Sequence, residues 1–396
     1  MKKRMKALHP DNYAMTGITK RALEIPPFIV MDVLEKAHQL ESQGRHIIHL
    51  EIGEPDFPTP KCICDAADEA IRRGETHYTH SLGIAELREA ICEHYNKKYG
   101  VKVEPGQVVI TSGTSPALFM IFSALLEAGD EIIISDPHYP CYPNFANFMG
   151  ARPALVKVYE EDGFQLRAEK IKKKIGPRTK AILINSPSNP TGNLLSSQQM
   201  EKIAELGPPV LSDEIYHGLV YGEKEHSILE FTNNAFVLNG FSKLYAMTGW
   251  RLGYIIVSND FVRPLQKMQQ NFFISAGSMS QWAGLAALKK AQADVDRMKA
   301  IYNERRRYMI QRLRELGFGL AVEPAGAFYM LVNAKHLASS SYELAFEILE
   351  KAGVGVSPGI DFGQNAEGYL RFSYANSLEN IEEGLNRIEE YLSRPR

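Results

Sequence analysis

The chain has 396 residues, of which 44% are hydrophobic and 23% are charged, and its formal net charge is −2 at pH 7. This length exceeds one ordinary hydrophobic core and predicts two domains of a soluble globular protein. The balanced charge gives no sign of a nucleic-acid or acidic-membrane partner. The longest apolar run, residues 116–126, is too short to span a bilayer and predicts a core helix.

The cysteines and the N-terminal residues indicate the cellular compartment in which the protein is expected. Cys62, Cys64, Cys92 and Cys141 match neither a zinc-binding spacing nor a dense disulfide framework. No apolar segment follows the basic residues at positions 2–6, so no secretory signal is predicted. We therefore expect a reducing, cytoplasmic compartment. The histidines form no metal-binding pattern, and no metal site is predicted.

The first hundred residues predict an arm, two helices and one strand. A polar arm extends to about residue 25 and ends at the helix-breaking sequence Pro-Pro-Phe at 26–28. Apolar residues at helical spacing over 30–43 end at Gly44, a suitable helix C-cap. Residues 47–50 predict a strand, which a proline-rich loop follows. Residues 82–99 predict an amphipathic helix that begins after Ser81.

From about residue 108, short β-branched runs alternate with helical stretches. The predicted strands are 108–110, 132–134, 181–184, 209–211, 235–238 and 254–257. This alternation predicts a mostly parallel α/β sheet, and such sheets bind ligands beyond the carboxyl ends of their strands. After residue 259 the pattern is helical, with one long segment near 281–315. A smaller α+β portion follows and ends in a helix over 378–392.

The first five of these strands are each followed by side chains that suit one anionic aromatic ligand. In chain order they are Gly113, Thr114 and Ser115; Tyr139 and Tyr142; Asn189; Asp213 and Tyr216; and Ser242 and Lys243. Small residues that open a helix form an anion site, tyrosines can stack on a ring, and a buried carboxylate needs a cation. Each group taken alone has an ordinary explanation as a cap, turn, packing contact or ion pair. Their coincidence on one edge of one sheet favours a binding site.

Lys243 and Arg251 lie eight residues apart in a loop of small residues between two predicted core strands. Buried charge is costly unless it is paired or used. A lysine amine that condenses with an aldehyde and an arginine that holds a phosphate together indicate pyridoxal phosphate. The structural alternative is a surface-reaching Lys243 and a salt-bridged Arg251.

From about residue 20 onward the sequence resembles the class I/II aminotransferases of the fold-type I pyridoxal-phosphate family. The motifs that carry the resemblance are IGEPDF at 52–57, Tyr78 with GIAELR at 83–88, SGTSPA at 112–117, NPTG at 189–192, DEIY at 213–216, and residues 242–253. The resemblance implies a large pyridoxal-phosphate-binding domain over 46–285, with a mostly parallel seven-stranded sheet flanked by helices. It also implies a smaller α+β domain over 286–396, with residues 1–45 as an N-terminal arm and small-domain segment.

The resemblance further implies a role for each site residue. Lys243 would form the internal aldimine and later transfer the proton, and Asp213 would keep the pyridine nitrogen protonated. Arg371 would clamp the substrate α-carboxylate bidentately. The other implied contacts are Asn189 and Tyr216 to the ring hydroxyl, Tyr139 to the ring face, Gly113, Thr114, Ser115, Ser242 and Arg251 to the phosphate, and Gly53 and Asn189 to the substrate carboxylate. Tyr78 would reach the phosphate of a neighbouring subunit, which implies a homodimer.

The implied activity belongs to amino acid metabolism: an amino group moves from an L-amino acid to a 2-oxo acid such as 2-oxoglutarate or pyruvate, with ping-pong kinetics. For this, the pKa of Lys243 must lie well below the ~10.4 of a free lysine. A C–S β-lyase shares the implied fold and lysine and remains an alternative. A non-catalytic regulator domain is a remote one, because the segment before residue 45 is too short for a helix-turn-helix domain.

The sequence leaves the substrate open. Dicarboxylate-specific members of the family carry an extra cation at one of two positions, where this chain has Ser115 and the uncharged residues 271–280. Lys20 or Arg21 on the arm could substitute for that cation. The aromatic residues expected near the pocket would suit an apolar or aromatic side chain: Phe28, Tyr139, Tyr142 and Phe273. Alanine, branched-chain amino acids, methionine and aromatic amino acids all stay open as donors.

Overall fold

The computed structural model describes residues 17–394. The basic residues Lys2, Lys3, Arg4 and Lys6 and most of the predicted arm lie outside this range. The α-helices of the described part are Lys20–Glu24, Ile29–Ser42, Lys61–Arg72, Ala85–Tyr99, Thr114–Leu125, Cys141–Phe148, Ala168–Lys172, Ser197–Ala204, Asn259–Phe272, Ser278–Lys290, Gln292–Glu315, Ser341–Ala352 and Leu378–Ser393. The strands are β1 (Ile48–His49), β2 (Val108–Thr111), β3 (Glu131–Asp136), β4 (Arg152–Lys157), β5 (Thr179–Asn185), β6 (Val210–Asp213), β7 (Ala235–Gly240), β8 (Gly253–Ile256), β9 (Tyr329–Asn333), β10 (Val354–Gly355), β11 (Ser357–Pro358) and β12 (Tyr369–Ser373).

The largest sheet has seven strands in the order β2-β8-β7-β6-β5-β3-β4. Strand β8 is antiparallel to both of its neighbours, whereas the other pairs are parallel. The predicted mostly parallel sheet flanked by helices is confirmed. Strand β4 was not predicted from the residue pattern because it lies at the sheet edge, where it is only partly buried and contains Pro153.

Alternate residues of the central strands enter two different cores, one on each face of the sheet. Ile133 and Ile182 belong to one core, and Ile132 and Leu183 belong to the other. Burial on both faces explains why these strands are continuous apolar runs rather than alternating patterns. The apolar runs therefore form the buried strands of the sheet, and the order and direction of these strands determine where their ends lie.

The rest of the chain is organised around a third core. The antiparallel sheet β11-β12-β9 and the parallel pair β1-β10 form its strands. Leu50, Tyr302, Phe328 and Ile348 are among its buried residues. The predicted domain boundaries at residues 45 and 285 stay predictions.

Two predicted helices differ in detail from the structure. The helix expected over 82–99 begins only at Ala85, because Ser81 does not cap it: the Ser81 hydroxyl accepts hydrogen bonds from the side chains of Gln266 and Gln270. The long segment expected near 281–315 is two helices, Ser278–Lys290 and Gln292–Glu315, which meet at Ala291.

No helix among residues 17–394 combines the length and apolarity needed to cross a membrane. In the same range, no group of three or more His, Cys, Asp or Glu side chains is placed to hold a metal ion. The four cysteines are free thiols.

Candidate active site

The carboxyl ends of five strands open into one cavity of about 380 Å³. Because β8 alone is reversed, β2, β3, β5, β6 and β7 all end at the same edge of the sheet. The predicted site residues that line this cavity are Gly53, Thr114, Ser115, Tyr139, Asn189, Asp213, Tyr216, Ser242, Lys243, Arg251 and Arg371. The structure therefore brings together residues that are up to 318 positions apart in the chain, as Gly53 and Arg371 are.

Lys243 points its amine at the loop that follows β1. The Nζ atom donates a hydrogen bond to the carbonyl oxygen of Gly53 at 2.7 Å. Burial lowers the pKa of Lys243 to about 8, although the carboxylate of Glu54 opposes this shift; the guanidinium groups of Arg371 and Arg251 lower it further. An amine with this pKa can both release and accept a proton near neutral pH.

Asp213 presents a buried carboxylate at the end of β6. Its Oδ1 accepts the backbone N–H of Ile215 at 3.1 Å, and its Oδ2 accepts the hydroxyl of Tyr142 at 2.7 Å. Burial raises the pKa of Asp213 to about 6, and these two hydrogen bonds work against that rise. A carboxylate held in this way suits a cationic N–H partner in the cavity.

An anion cradle forms where β2 turns into the helix Thr114–Leu125. Gly113 precedes this helix with φ +97°, and no side chain in the described part of the chain caps the first-turn amides. A Cβ atom at position 113 would lie 2.6 Å from Nη2 of Arg251, so glycine leaves room for that guanidinium. Arg251 is oriented by a 3.0 Å hydrogen bond from Nη1 to the carbonyl oxygen of Thr248. A helix N-terminus beside a guanidinium group binds a phosphate well.

Arg371 lies in the middle of β12 and is only 2% exposed. Its Nη1 donates to Oδ1 of Asn189 at 3.0 Å, while its Nη2 donates to the carbonyl oxygen of Glu51 and, at 3.0 Å, to Oγ of Ser357. Its Nε is buried and has no hydrogen-bond partner among the described residues. No carboxylate neutralises this buried guanidinium through an ion pair in the described part of the chain, so an anionic ligand would suit it.

The remaining tyrosines frame the cavity. The hydroxyl groups of Tyr216 and Tyr329 are 3.0 Å apart, and the Tyr329 ring lies 4.3 Å from the Arg371 guanidinium carbon. Tyr139 contacts the rings of Phe28 and Tyr142 edge-on. Tyr78 does not line this cavity; it is 82% exposed.

One aromatic residue expected at the pocket and the two candidate cations of the arm lie outside this cavity. Phe273 does not line the cavity, because it packs against the core on one face of the sheet. Lys20 and Arg21 also lie elsewhere: Lys20 pairs with Glu24 at 3.7 Å, and Arg21 stacks over the ring of Phe148. Neither cation lines the cavity.

Several residues that line the cavity or hold its side chains were not predicted from the sequence. The start of the helix Ile29–Ser42 forms an apolar wall of the cavity. The wall consists of Val30, Met31 and Leu34, together with Phe28 just before the helix. The helical apolar spacing over 30–43 signalled the helix but not which side of it faces the site. Tyr142 was expected only as a pocket aromatic, and its hydrogen bond to Asp213 had no signal in the sequence.

The chain resembles known proteins over nearly its whole length. Residues 45–388 match the model of the family Aminotransferase class I and II. The chain is 43% identical to (5-formylfuran-3-yl)methyl phosphate transaminase of Methanocaldococcus jannaschii, over 95% of this chain and 100% of that protein. It is 39% identical to aspartate aminotransferase of Pyrococcus horikoshii, over 95% and 97% of the two chains. The chain therefore belongs to the class I and II aminotransferase family and is an aminotransferase.

Solved structures agree with this assignment. A crystal structure from Methanococcus jannaschii, described as similar in its active site to kynurenine aminotransferases, superposes with a TM-score of 0.89 at 43% identity. A double mutant of Thermus thermophilus aspartate aminotransferase superposes with a TM-score of 0.91 at 36% identity. Both alignments cover 95% of this chain and 100% of the other.

Members of this family use pyridoxal phosphate, and the cavity has groups that fit its parts. The helix amides at Thr114 and Ser115, together with the guanidinium of Arg251, suit a phosphate. The buried carboxylate of Asp213 suits a protonated ring nitrogen, and the amine of Lys243 suits an aldehyde.

Proposed function

We propose that this cavity binds pyridoxal 5′-phosphate and that the protein transfers an amino group from an L-amino acid to a 2-oxo acid in two half-reactions. The single observation that carries the proposal is the cavity shared by Lys243, Asp213 and Arg371, whose wall includes Thr114 and Ser115 at the start of the helix that Gly113 precedes. Two substrates that use the same carboxylate site in turn give ping-pong kinetics.

The side chains that would hold the cofactor divide among its parts. Asp213 would face the ring nitrogen, and Asn189 and Tyr216 would face the ring hydroxyl. Tyr139 would cover one ring face. The phosphate would be held by Gly113, Thr114, Ser115, Ser242 and Arg251. When bound, the cofactor supplies an aldehyde that condenses with amines and a protonated ring that accepts electron density from the substrate Cα.

The protein's own groups perform the positioning and the proton transfer. Arg371 binds the substrate α-carboxylate through N–H groups, and Asn189 and Gly53 complete that site. Lys243 would take the Cα proton at Nζ and later deliver it to the carbon atom of the cofactor's aldehyde group. A pKa of about 8 suits an amine that must both accept and release a proton. The carbonyl oxygen of Gly53 holds the free amine of Lys243 inside the cavity. Arg371 and Asn189 are buried, which limits access of water to the carboxylate site.

We also propose that the active unit is a homodimer. Tyr78 is 82% exposed and lies outside its own cavity, which suits a residue that completes the phosphate site of a neighbouring subunit.

The proposed domain division places residues 46–285 in the large domain. Residues 286–396 and the N-terminal segment form the small domain. The cytoplasmic location stays a prediction from the sequence.

For the substrate class, we propose amino acids with an apolar or aromatic side chain. Among residues 17–394, the cations that line the cavity are Lys243, Arg251 and Arg371, and each has a proposed role other than binding a distal carboxylate. The wall formed by Phe28 and Met31 with Val30 and Leu34 is apolar instead. Several relatives are aspartate aminotransferases, so a dicarboxylic amino acid is the second candidate.

A half-reaction experiment tests the proposed activity. Holoenzyme is mixed with one amino acid at a time in the absence of any 2-oxo acid, and the products are quantified. An aminotransferase yields one equivalent of 2-oxo acid per site and then stops. A C–S β-lyase instead releases pyruvate and ammonia from cysteine conjugates through many turnovers, and that result would replace the proposal. Lys243→Ala should abolish the first outcome.

A further inference from the structure

A buried carboxylate lies just outside the proposed active site and has no role in the chemistry described above. Glu51 follows β1 and its side chain is completely buried. Its Oε1 is 2.7 Å from Nδ1 of His49. Its Oε2 has no hydrogen-bond partner among the described residues and lies against Gly355, where any Cβ atom would overlap it. Glycine at position 355 therefore makes room for the Glu51 carboxylate.

His49 connects this carboxylate to the helix that forms the apolar wall of the cavity. Its Nε2 is 3.2 Å from Oε1 of Glu41, which lies in the helix Ile29–Ser42. The charged or titratable groups that face His49 are Glu51 on its own segment and Glu41 and His38 on that helix. The hydrogen bond to Glu51 is the largest cause that raises the pKa of His49 to about 9, and burial opposes it. At neutral pH an imidazolium therefore joins two carboxylates.

The backbone beside Glu51 holds both cations of the proposed substrate site. The carbonyl oxygen of Glu51 accepts a hydrogen bond from Nη2 of Arg371, and Oγ of Ser357 donates to the same oxygen at 3.1 Å. Two residues later, the carbonyl oxygen of Gly53 accepts from Nζ of Lys243 at 2.7 Å. A shift of residues 51–53 would thus move acceptors that orient both Arg371 and Lys243.

We propose that Glu51 and His49 are positioning residues for the substrate carboxylate: their partly buried ion pair fixes the backbone of residues 51–53 and thereby orients Arg371. The proposal rests on the proposed function, because it takes Arg371 as the carboxylate-binding residue. Glu51 touches neither substrate nor cofactor in this account. Its effect passes through its own backbone, since a side chain locked by His49 leaves the adjoining peptide group little freedom.

The test measures binding of 3-phenylpropanoate, a monocarboxylate without an amine, to holoenzyme between pH 7 and pH 10 by calorimetry. In the wild type, the Kd should rise about fivefold as His49 loses its proton, which is a typical size for coupling between neighbouring groups. In His49→Gln and Glu51→Gln, the Kd should already be raised at pH 7. It should also rise less between pH 7 and pH 10 than in the wild type, because the titration of Lys243 remains and that of the His49–Glu51 pair is removed. His46→Gln is the matched control, because His46 pairs with Glu383 at 3.7 Å on the exposed surface and should keep the wild-type profile.

A second variant covers the case in which those substitutions impair folding. Gly355→Ala changes no ionisable group but displaces Oε2 of Glu51, so it should weaken binding of 3-phenylpropanoate at every pH. The cofactor content of each variant should match that of the wild type, since the ion pair acts on the carboxylate site. Wild-type Kd values at all pH values in His49→Gln, Glu51→Gln or Gly355→Ala would overturn the inference. Arg371→Ala tests the proposed function separately: unchanged binding there would show that the carboxylate site itself is misassigned.

Discussion

The hydroxyl group of Tyr142 donates a 2.7 Å hydrogen bond to Oδ2 of Asp213. Tyr142 is 2% exposed, so the bond is shielded from water. Burial alone would favour the neutral carboxylic acid, whereas a donated hydrogen bond favours the carboxylate. These effects, together with the backbone N–H of Ile215 and the nearby charges of Glu214 and Lys243, leave the pKa of Asp213 at about 6. The residue is therefore mostly ionised at neutral pH.

Tyr142→Phe should raise the pKa of Asp213 above 6, because it removes a hydrogen bond that stabilises the ionised form. We expect the affinity for pyridoxal phosphate at pH 7 to fall about tenfold, the size of one hydrogen bond to a charged group. The acidic limb of the kcat–pH profile should move to higher pH. Tyr221→Phe, which removes a buried 2.8 Å hydrogen bond to Ala327 outside the cavity, is the control and should alter neither quantity. An unshifted limb in Tyr142→Phe would contradict this account of Asp213.

Gly113→Ala should weaken cofactor binding, because its Cβ atom would lie 2.6 Å from Nη2 of Arg251 and because φ is +97°. Displacing the guanidinium removes a charge-assisted contact, so the Kd for pyridoxal phosphate should increase at least about tenfold. Gly249→Ala is a matched control, since a Cβ atom there meets nothing within 4 Å. Fluorescence titration of the apoprotein with pyridoxal phosphate gives both values. Equal affinities in the two variants would show that the cradle at Gly113 does not bind the phosphate.

The raised pKa of His49 predicts how stability depends on pH. Its pKa is about 9 in the folded protein and 6.5 in an unfolded chain. Its contribution to the free energy of unfolding is therefore complete below pH 6.5 and is lost as the pH rises through 9. Urea denaturation of the wild type and of His49→Gln at several pH values measures it. The difference between the two proteins should shrink between pH 6.5 and pH 9; a difference that grows over this range would contradict the assignment.

A charge placed on the apolar wall should change substrate preference. Met31 lines the cavity and is 51% exposed, so Met31→Lys can introduce an amine without burying it. We expect the ratio of kcat/KM for aspartate to that for phenylalanine to rise about tenfold, because a nearby cation pairs with the distal carboxylate. Met31→Gln is the neutral control of similar size. An unchanged ratio in Met31→Lys would mean that this wall does not contact the substrate side chain.

The sequence predicted those parts of the fold that depend on local patterns. Apolar runs such as 132–134 and 181–184 identified strands of the sheet, and the parallel arrangement placed their ends together. The edge strand β4 was not predicted because it lacks a continuous apolar run. Contacts between residues that are distant in the sequence could not be predicted either. Tyr142 and Asp213 are 71 positions apart, and no local pattern around either residue predicts their hydrogen bond. The pairing of His49 with the buried Glu51 was hidden for a different reason, since only the packed structure shows that Gly355 leaves space for a carboxylate.

The most direct test of the central claim is the absorbance spectrum of the protein reconstituted with pyridoxal phosphate, before and after an amino acid donor is added. We expect a near-visible absorbance band in the wild type that is replaced by a shorter-wavelength band when a suitable donor is added. Lys243→Ala should not show this conversion at the wild-type rate. A wild-type protein that acquires no band, or whose band no amino acid changes, would contradict the claim that Lys243 and Asp213 form a pyridoxal-phosphate-dependent aminotransferase site.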